Sequence, residues 1–316
     1  MAAVTKHLNF AITASTSFEP PFLLAKRFST LDHLTGGRFG WNIVTSWKKA
    51  AFKAIGIDTP IEHDERYAQA DEYLRVLYKL WEGSWADDAI TENAAVDEYI
   101  DPKKIRTIKH DGKYYSLESR HIVDPSPQRT PFLFQAGTSS AGSEFAANHD
   151  DTTTYHRIKS LLDQFTVTSP EVPEWTPRII AEKGSIGGLG PVSVGSPATV
   201  ADELERWVKE ADVDGFNIGY VTTPGSFEDV VDLLVPELRR RGIYAEIPQE
   251  CQDEEWTARE KVYGKGQKGL RDDHEGSKYR YDVYEETVRS EGRANGKHDA
   301  DKELGEERKP AKRQRT

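Results

Sequence analysis

One cysteine, Cys251, stands among 316 residues, so no disulfide can form within the chain and a reducing, cytoplasmic setting is expected. No apolar run approaches the roughly 20 residues that a membrane helix needs. The first ten residues lack the charged-then-apolar layout of a secretory leader. Basic residues are outnumbered, 42 Lys and Arg against 53 Asp and Glu, and the net charge of −11 argues against a nucleic-acid binder. Neither a membrane nor a nucleic-acid partner is expected. A mean hydropathy of −0.68 is polar for one globular domain of this length and points to an unfolded segment.

The C-terminal region is the candidate for that segment. From Cys251 onward Asp, Glu, Lys, Arg and Gly dominate, and apolar residues recur at neither structural period. The expected division is a folded domain over 1–250 and a charged, mostly disordered tail over 251–316. The chain closes on Lys309-Pro310-Ala311-Lys312-Arg313-Gln314-Arg315-Thr316, a basic cluster that nuclear-import signals share with ordinary solvated tails.

Within 1–250, apolar strands alternate with amphipathic helices. Leu8 to Ala14 reads as a buried strand. Phe18 to Leu34 reads as a helix with Pro20-Pro21 near its start and Gly36-Gly37 at its end. Phe39 to Thr45 is a second strand. Asp58-Thr59-Pro60 opens a long helix whose Ala70, Leu74, Leu77 and Trp81 share a face. Asp111-Gly112, between Ile105 to His110 and Lys113 to Leu117, signals a hairpin. Phe132 to Ala136 is a third buried strand, followed by a helix near Ser143 to Asn148. Ser196-Pro197 caps a helix to about Ala211, Phe216 to Val221 is a fourth buried strand, and Phe227 to Arg241 a last helix. This alternation defines a parallel α/β fold, which a TIM barrel and a doubly wound sheet satisfy equally.

Two local features suit anion binding. At Phe134-Gln135-Ala136-Gly137-Thr138-Ser139-Ser140 a strand ends, a glycine and hydroxyl residues follow, and a helix begins. Free backbone N–H groups, hydroxyls and the positive end of a helix dipole then meet, although helix capping alone accounts for the same residues. His63 and Tyr67, four residues apart, lie side by side on one helical face and can both donate hydrogen bonds, although an exposed His beside a half-buried Tyr has the same spacing. Gly184 to Gly190 lacks the Lys-Ser/Thr of a phosphate loop and reads as a connection. His110 falls at the hairpin turn, where solvation is expected. His7, His33, His121, His149 and His156 show no metal-ligand spacing.

A longer set of residues resembles the nitrilotriacetate, dibenzothiophene-sulfone and dimethyl-sulfide monooxygenases, a group of bacterial-luciferase-like, two-component FMN-dependent monooxygenases. The block Arg27-Phe28-Ser29-Thr30-Leu31-Asp32-His33-Leu34-Thr35-Gly36-Gly37-Arg38, running into Trp41-Asn42-Ile43-Val44-Thr45-Ser46, carries most of it. Thr13-Ala14-Ser15-Thr16, Arg66-Tyr67, Gln135-Ala136-Gly137-Thr138-Ser139, Gly195-Ser196-Pro197 and Asp214-Gly215-Phe216-Asn217 continue it. The resemblance implies a TIM barrel with FMN at the C-terminal ends of its strands. It implies ring contacts at Thr13 and Asn42 and phosphate contacts at His63, Tyr67, Thr138 and Ser139. It implies a separate NAD(P)H-dependent flavin reductase that supplies reduced FMN, with O₂ and a small organosulfur or related heteroatom-containing molecule as co-substrates. Association with further copies of the chain is left open.

The pattern also departs from that group. Met1 falls where the family is already in its third strand region, and after Asp150-Asp151 the sequence skips a sixth strand, a helical excursion and a seventh strand. The expectation is an incomplete barrel with unpaired edges, hence a poor oxygenase. A catalytically impaired remnant with weak or no flavin binding is the alternative reading. A deazaflavin-dependent dehydrogenase of the same superfamily fits the Trp41-to-Ser46 and Gln135-to-Ser139 motifs less well.

Overall fold

The computed structural model describes residues 1–59, 61–135, 140–151, 176, 178–179, 191–213, 215–244 and 254–292. Two compact units divide the chain, Met1–Arg157 with Glu254–Thr316, and Ile158–Asp253. Thr138, Ser139, Gly184 to Gly190, Cys251 and the 309–316 cluster lie outside the described residues.

The first unit begins with a βαβ turn. Strand β1 (Phe10–Ser15) leads through helix α1 (Pro21–Thr35) to strand β2 (Phe39–Val44), and the strands pair in parallel from Phe10↔Phe39 to Ser15↔Val44. Pro21 sits in the first turn of α1, where its missing N–H costs nothing. Gly36 ends the helix at φ 60°, in the left-handed conformation that glycine adopts without strain. Leu24, Ala25 and Phe28 of α1 are buried against Trp41, whose ring meets Phe28 edge-on at 5.2 Å. Helix α2 (Lys49–Ala54) follows. Helix α3 (His63–Trp81) then buries Ala70, Leu74, Leu77 and Trp81, the face expected from the sequence. It starts at His63, several residues after the expected Asp58-Thr59-Pro60.

Strands β3 (Ile90–Asn93) and β4 (Glu98–Ile100) pair antiparallel, as do β5 (Ile108–Asp111) and β6 (Ser116–Ser119). The register Asp111↔Ser116 leaves Gly112 to Tyr115 as a four-residue loop, which corrects the expected two-residue turn and moves the second strand toward the C-terminus. The cause is Glu72 on α3, whose carboxylate accepts the backbone N–H groups of Tyr114 and Tyr115 at 3.1 and 2.8 Å. His110 is likewise not solvated. Its Nε2 lies 3.2 Å from Glu72 Oε1 and its side chain is 9% exposed. Strand β7 (Phe132–Phe134) joins β2 in parallel and leads to helix α4 (Ser140–His149). The sheet order β1-β2-β7 follows the chain without reversal, as in a sector of a barrel, and comprises three parallel strands among the described residues.

The second unit contains α5 (Pro197–Ala211), α6 (Gly225–Asp229) and α7 (Val235–Arg240), with one π turn, Val230–Leu234, between the last two. Ser196 Oγ caps α5 by accepting from Thr199 N, as expected. Arg241 ties α7 to α5 through Asp202 and Glu205. The expected buried strand over Phe216 to Val221 is not formed. Phe216, Ile218, Tyr220 and Val221 are exposed, and among the described residues no strand pairs with them. An apolar run becomes a buried strand only where neighbours supply hydrogen bonds and cover.

Residues 254–292 correct the expected tail, because they fold into the first unit. Thr257 and Glu260 form a capping box that starts α8 (Ala258–Tyr263), and a further helix, α9, covers 284–292. Arg259 is fully buried, and its guanidinium grips both carboxylate oxygens of Asp151 at 3.0 Å. It also donates to the carbonyls of Thr130, Pro131 and Lys268. Asp151 in turn accepts from Leu133 N at 2.6 Å and donates its own N–H to Leu133 O. Ala258 N donates to Gly37 O at 2.7 Å, and a Cβ on Gly37 would strike Thr257 at 2.4 Å.

Two outcomes follow from these contacts. Arg259→Ala should lower stability by about 3–5 kcal/mol in urea unfolding, because Asp151 would stay buried without its partner. A change within about 0.5 kcal/mol, the range of surface substitutions, would contradict this. His121 hydrogen-bonds Ser29 Oγ at 2.9 Å, and burial, helped by Arg129 and His33, holds its imidazole down at about 4 against an ordinary 6.5. A depressed histidine stabilises the fold above its unfolded value. Stability should therefore fall as pH drops from 6.5 toward 4, by about 3 kcal/mol in all. His121→Gln should flatten that limb, and an unchanged slope would contradict the assignment.

Candidate functional site

Alternation along the strands divides the parallel sheet into two faces. Phe39, Trp41, Ile43 and Leu133 face the helices and are buried, with Ile12 and Ala14 packed beside them. The other face carries Ala11, Thr13 and Ser15 of β1, Gly40, Asn42 and Val44 of β2, and Phe132 and Phe134 of β7. No side chain in that set is charged. Thr13 and Asn42 are register partners, and Asn42 Nδ2 donates to Thr13 Oγ1 at 3.0 Å. Asn42 Oδ1 is buried and accepts from no group. The pair thus holds one unused acceptor, and the Thr13 hydroxyl proton remains free to donate. Phe132 and Phe134 lie beside it, their ring centroids 6.5 Å apart. Beyond the strand ends, Ser17 Oγ donates to Thr45 O at 2.7 Å and links the two loops that leave β1 and β2.

His63 and Tyr67 occupy the first two turns of α3, with ring centroids 5.2 Å apart. His63 Nδ1 contacts Asp64 at 2.7 Å, which leaves Nε2 for another partner. Tyr67 packs on Phe145 of α4, centroids 5.8 Å apart. Phe145 continues to His149, which is buried between the Tyr78 hydroxyl at 3.1 Å and Asp71 at 2.9 Å. The donor pair on α3 is therefore packed against the helix that follows the Gln135-to-Ser139 segment. The other two expected anion contacts, Thr138 and Ser139, lie outside the described residues.

The sequence reading missed Asp150. Its side chain is buried, and burial, with Asp151 adding to it, lifts its carboxyl to about 8 although the Gln135 N–H hydrogen-bonds to it. An acidic pair directly after an amphipathic helix, Asp150-Asp151, was the available signal. For the Arg259 clasp the signal was the Thr257-x-x-Glu260 capping box inside the charged segment.

The arrangement tests favourably against a planar heteroaromatic cofactor. The pyrimidine edge of an isoalloxazine alternates carbonyls with N–H, which matches the free Asn42 acceptor and the free Thr13 donor on an uncharged face. The orphaned Asn42 Oδ1 is the observation that asks for such a donor.

The family model described as luciferase-like monooxygenase matches residues 1–164. A dimethyl-sulfide monooxygenase of Hyphomicrobium sulfonivorans is 40% identical, the match covering 77% of this chain and 68% of that protein. The crystal structure of a long-chain alkane monooxygenase aligns with a TM-score of 0.76 at 38% identity, covering 89% of this chain and 79% of that one. A riboflavin lyase crystallised with modified FMN and riboflavin aligns with a TM-score of 0.73 at 28% identity, covering 88% of this chain and 79% of that one. The chain belongs to the luciferase-like monooxygenase family, a family of enzymes, and has a luciferase-like fold.

Proposed function

We propose that this chain is the oxygenase of a two-component system, binding reduced FMN from a separate NAD(P)H-dependent flavin reductase and oxygenating a small, uncharged organosulfur or related heteroatom-containing molecule. The observation that carries the reading is the Thr13–Asn42 pair, in which the buried Asn42 Oδ1 is left without a donor on an uncharged sheet face. The family relationship, and a relative whose structure holds a modified FMN, support the choice of cofactor. When bound, reduced FMN would supply two electrons to O₂, so that one oxygen atom reaches the substrate and the other leaves as water.

The residues have separate tasks. Thr13 and Asn42 would hold the ring edge. His63 and Tyr67, with Thr138 and Ser139, would hold the phosphate. Ala11, Gly40, Val44, Phe132 and Phe134 would keep water from the reacting face, where water diverts reducing equivalents to hydrogen peroxide. The absence of charge on these three strands' inner face favours a neutral sulfide or sulfone over a polycarboxylate, whose carboxylates would lack counter-charges there.

Paired substitutions distinguish the two ends of the flavin. Asn42→Ala should weaken FMN and riboflavin alike by about tenfold, one hydrogen bond's worth. Tyr67→Phe should weaken FMN by about tenfold and leave riboflavin unchanged, since hydrogen bonds to a charged group are worth roughly 1.5–3 kcal/mol. Wild-type chain that binds riboflavin as tightly as FMN would contradict the phosphate site. With reductase and NADH, sulfoxide should form from dimethyl sulfide, and nitrilotriacetate should not be consumed. Peroxide as the sole product from every neutral sulfide and sulfone tried would overturn the proposed activity.

A further inference from the structure

Charge is unevenly spread along this acidic chain. Residues 1–57 carry seven basic side chains and two acidic ones, although the whole chain has a net charge of −11. Of the two acids, Glu19 is engaged by Arg27, and Asp32 is buried on Gln128. Three of the seven cations, Lys48, Lys49 and Lys53, fall within six residues shortly after β2. All three are exposed, and among the described residues none of them pairs with a carboxylate. The fold holds them at the C-terminal end of the sheet. Thr16 N donates to Val44 O at 3.0 Å and Ser17 Oγ to Thr45 O at 2.7 Å, so the loops leaving β1 and β2 stay joined. Phe18 of the first loop then meets Phe52 of α2 edge-on, with ring centroids 5.2 Å apart, and Phe52 is buried. With Phe52 as the inward anchor, the lysines remain in solvent. Lys48 lies four residues beyond Val44, a reach of at most about 14 Å.

The start of α3 carries the opposite sign. Asp58, Glu62 and Asp64 are exposed there, and among the described residues only Asp64 has a partner, His63. An anion heading for the His63–Tyr67 face is repelled unless a nearby cationic patch outweighs these carboxylates. We propose that Lys48, Lys49 and Lys53 form an electrostatic capture patch that draws the phosphate of a flavin out of solution and delivers it to the site. The inference rests on the flavin reading, and it adds the side from which the cofactor enters and the groups that set its on-rate. A lysine in water is a flexible point charge, suited to attracting a phosphate over several ångströms rather than to holding it in one geometry. At about 0.1 M salt the screening length is about 10 Å. The three lysines therefore act locally, while the distant excess of carboxylates is screened.

The test is stopped-flow binding of FMN and of riboflavin to the full chain, followed by flavin fluorescence at about 0.1 M and about 1 M salt, where the screening length drops from about 10 to about 3 Å. The wild-type on-rate for FMN should fall about tenfold between the two, and that for riboflavin, which has no phosphate, should not. A variant combining Lys48→Gln, Lys49→Gln and Lys53→Gln should lose about tenfold in FMN on-rate at the lower salt and show a flat salt dependence. Its FMN off-rate and both riboflavin rates should match wild type. Lys6→Gln with Lys103→Gln removes exposed charges ahead of β1 and beyond β4, and should leave the FMN on-rate unchanged. An unaltered FMN on-rate in the triple variant, or equal losses for FMN and riboflavin, would overturn the proposal. A faster off-rate with an unchanged on-rate would make the lysines ligands of the bound phosphate and would overturn it as well. If wild type binds neither flavin, the flavin reading has failed and the patch falls with it, whereas FMN that binds at a charge-independent rate overturns the patch alone.

Discussion

The ion pair between Arg259 and Asp151 is the constraint on which the first unit depends. Both side chains are taken out of water, which is expensive, and the cost is offset because every strong hydrogen-bonding direction is used. The guanidinium spans both carboxylate oxygens and three carbonyls, while the carboxylate also holds Leu133 N. One interaction thus fastens the chain just beyond α4, the strand β7 and the 254–292 segment together. That segment then reaches further along the unit. Tyr279 and Tyr284 enter the core cluster with Trp41 and Trp81, and Lys79 of α3 pairs with Glu291.

The candidate site borrows its rigidity from this frame. Thr13 and Asn42 are set by the parallel register of β1 and β2, and that register is fixed from behind by Trp41 against Phe28 and Trp81. A one-residue slip would turn Asn42 into the core and Trp41 outward. His63 and Tyr67 are set by α3, whose length is anchored by its buried C-terminal half. The reacting face needs no ionisable residue of its own under this account, because the cofactor carries the redox chemistry and the protein supplies orientation and dryness.

Local rules were enough for elements whose neighbours lie close in sequence. Pro21 and Gly36-Gly37 bracketed α1, the apolar face of α3 was visible in its spacing, and Ser196-Pro197 marked the start of α5. Family resemblance, rather than spacing, singled out Thr13 and Asn42, and their hydrogen bond is a non-local fact 29 positions apart. The errors share one cause, which is partners distant in sequence. A charge-rich segment looked unfolded because Arg259 finds Asp151 across 108 positions. His110 looked solvated, and the hairpin looked two residues long, because Glu72 is 38 to 43 positions away. At Phe216 to Val221 the apolar run was real, but strand formation depends on neighbours that the run itself does not specify.

In the proposed complex one flavin spans the Thr13–Asn42 pair and the His63–Tyr67 face. A crystal structure of the chain with FMN tests it directly. The predicted result is density for the pyrimidine edge against Asn42 Oδ1 and the Thr13 hydroxyl, with the phosphate within hydrogen-bonding distance of Tyr67. Flavin density at any other place on the first unit, or a phosphate turned away from α3 with the ring edge unbonded to Asn42, would contradict it.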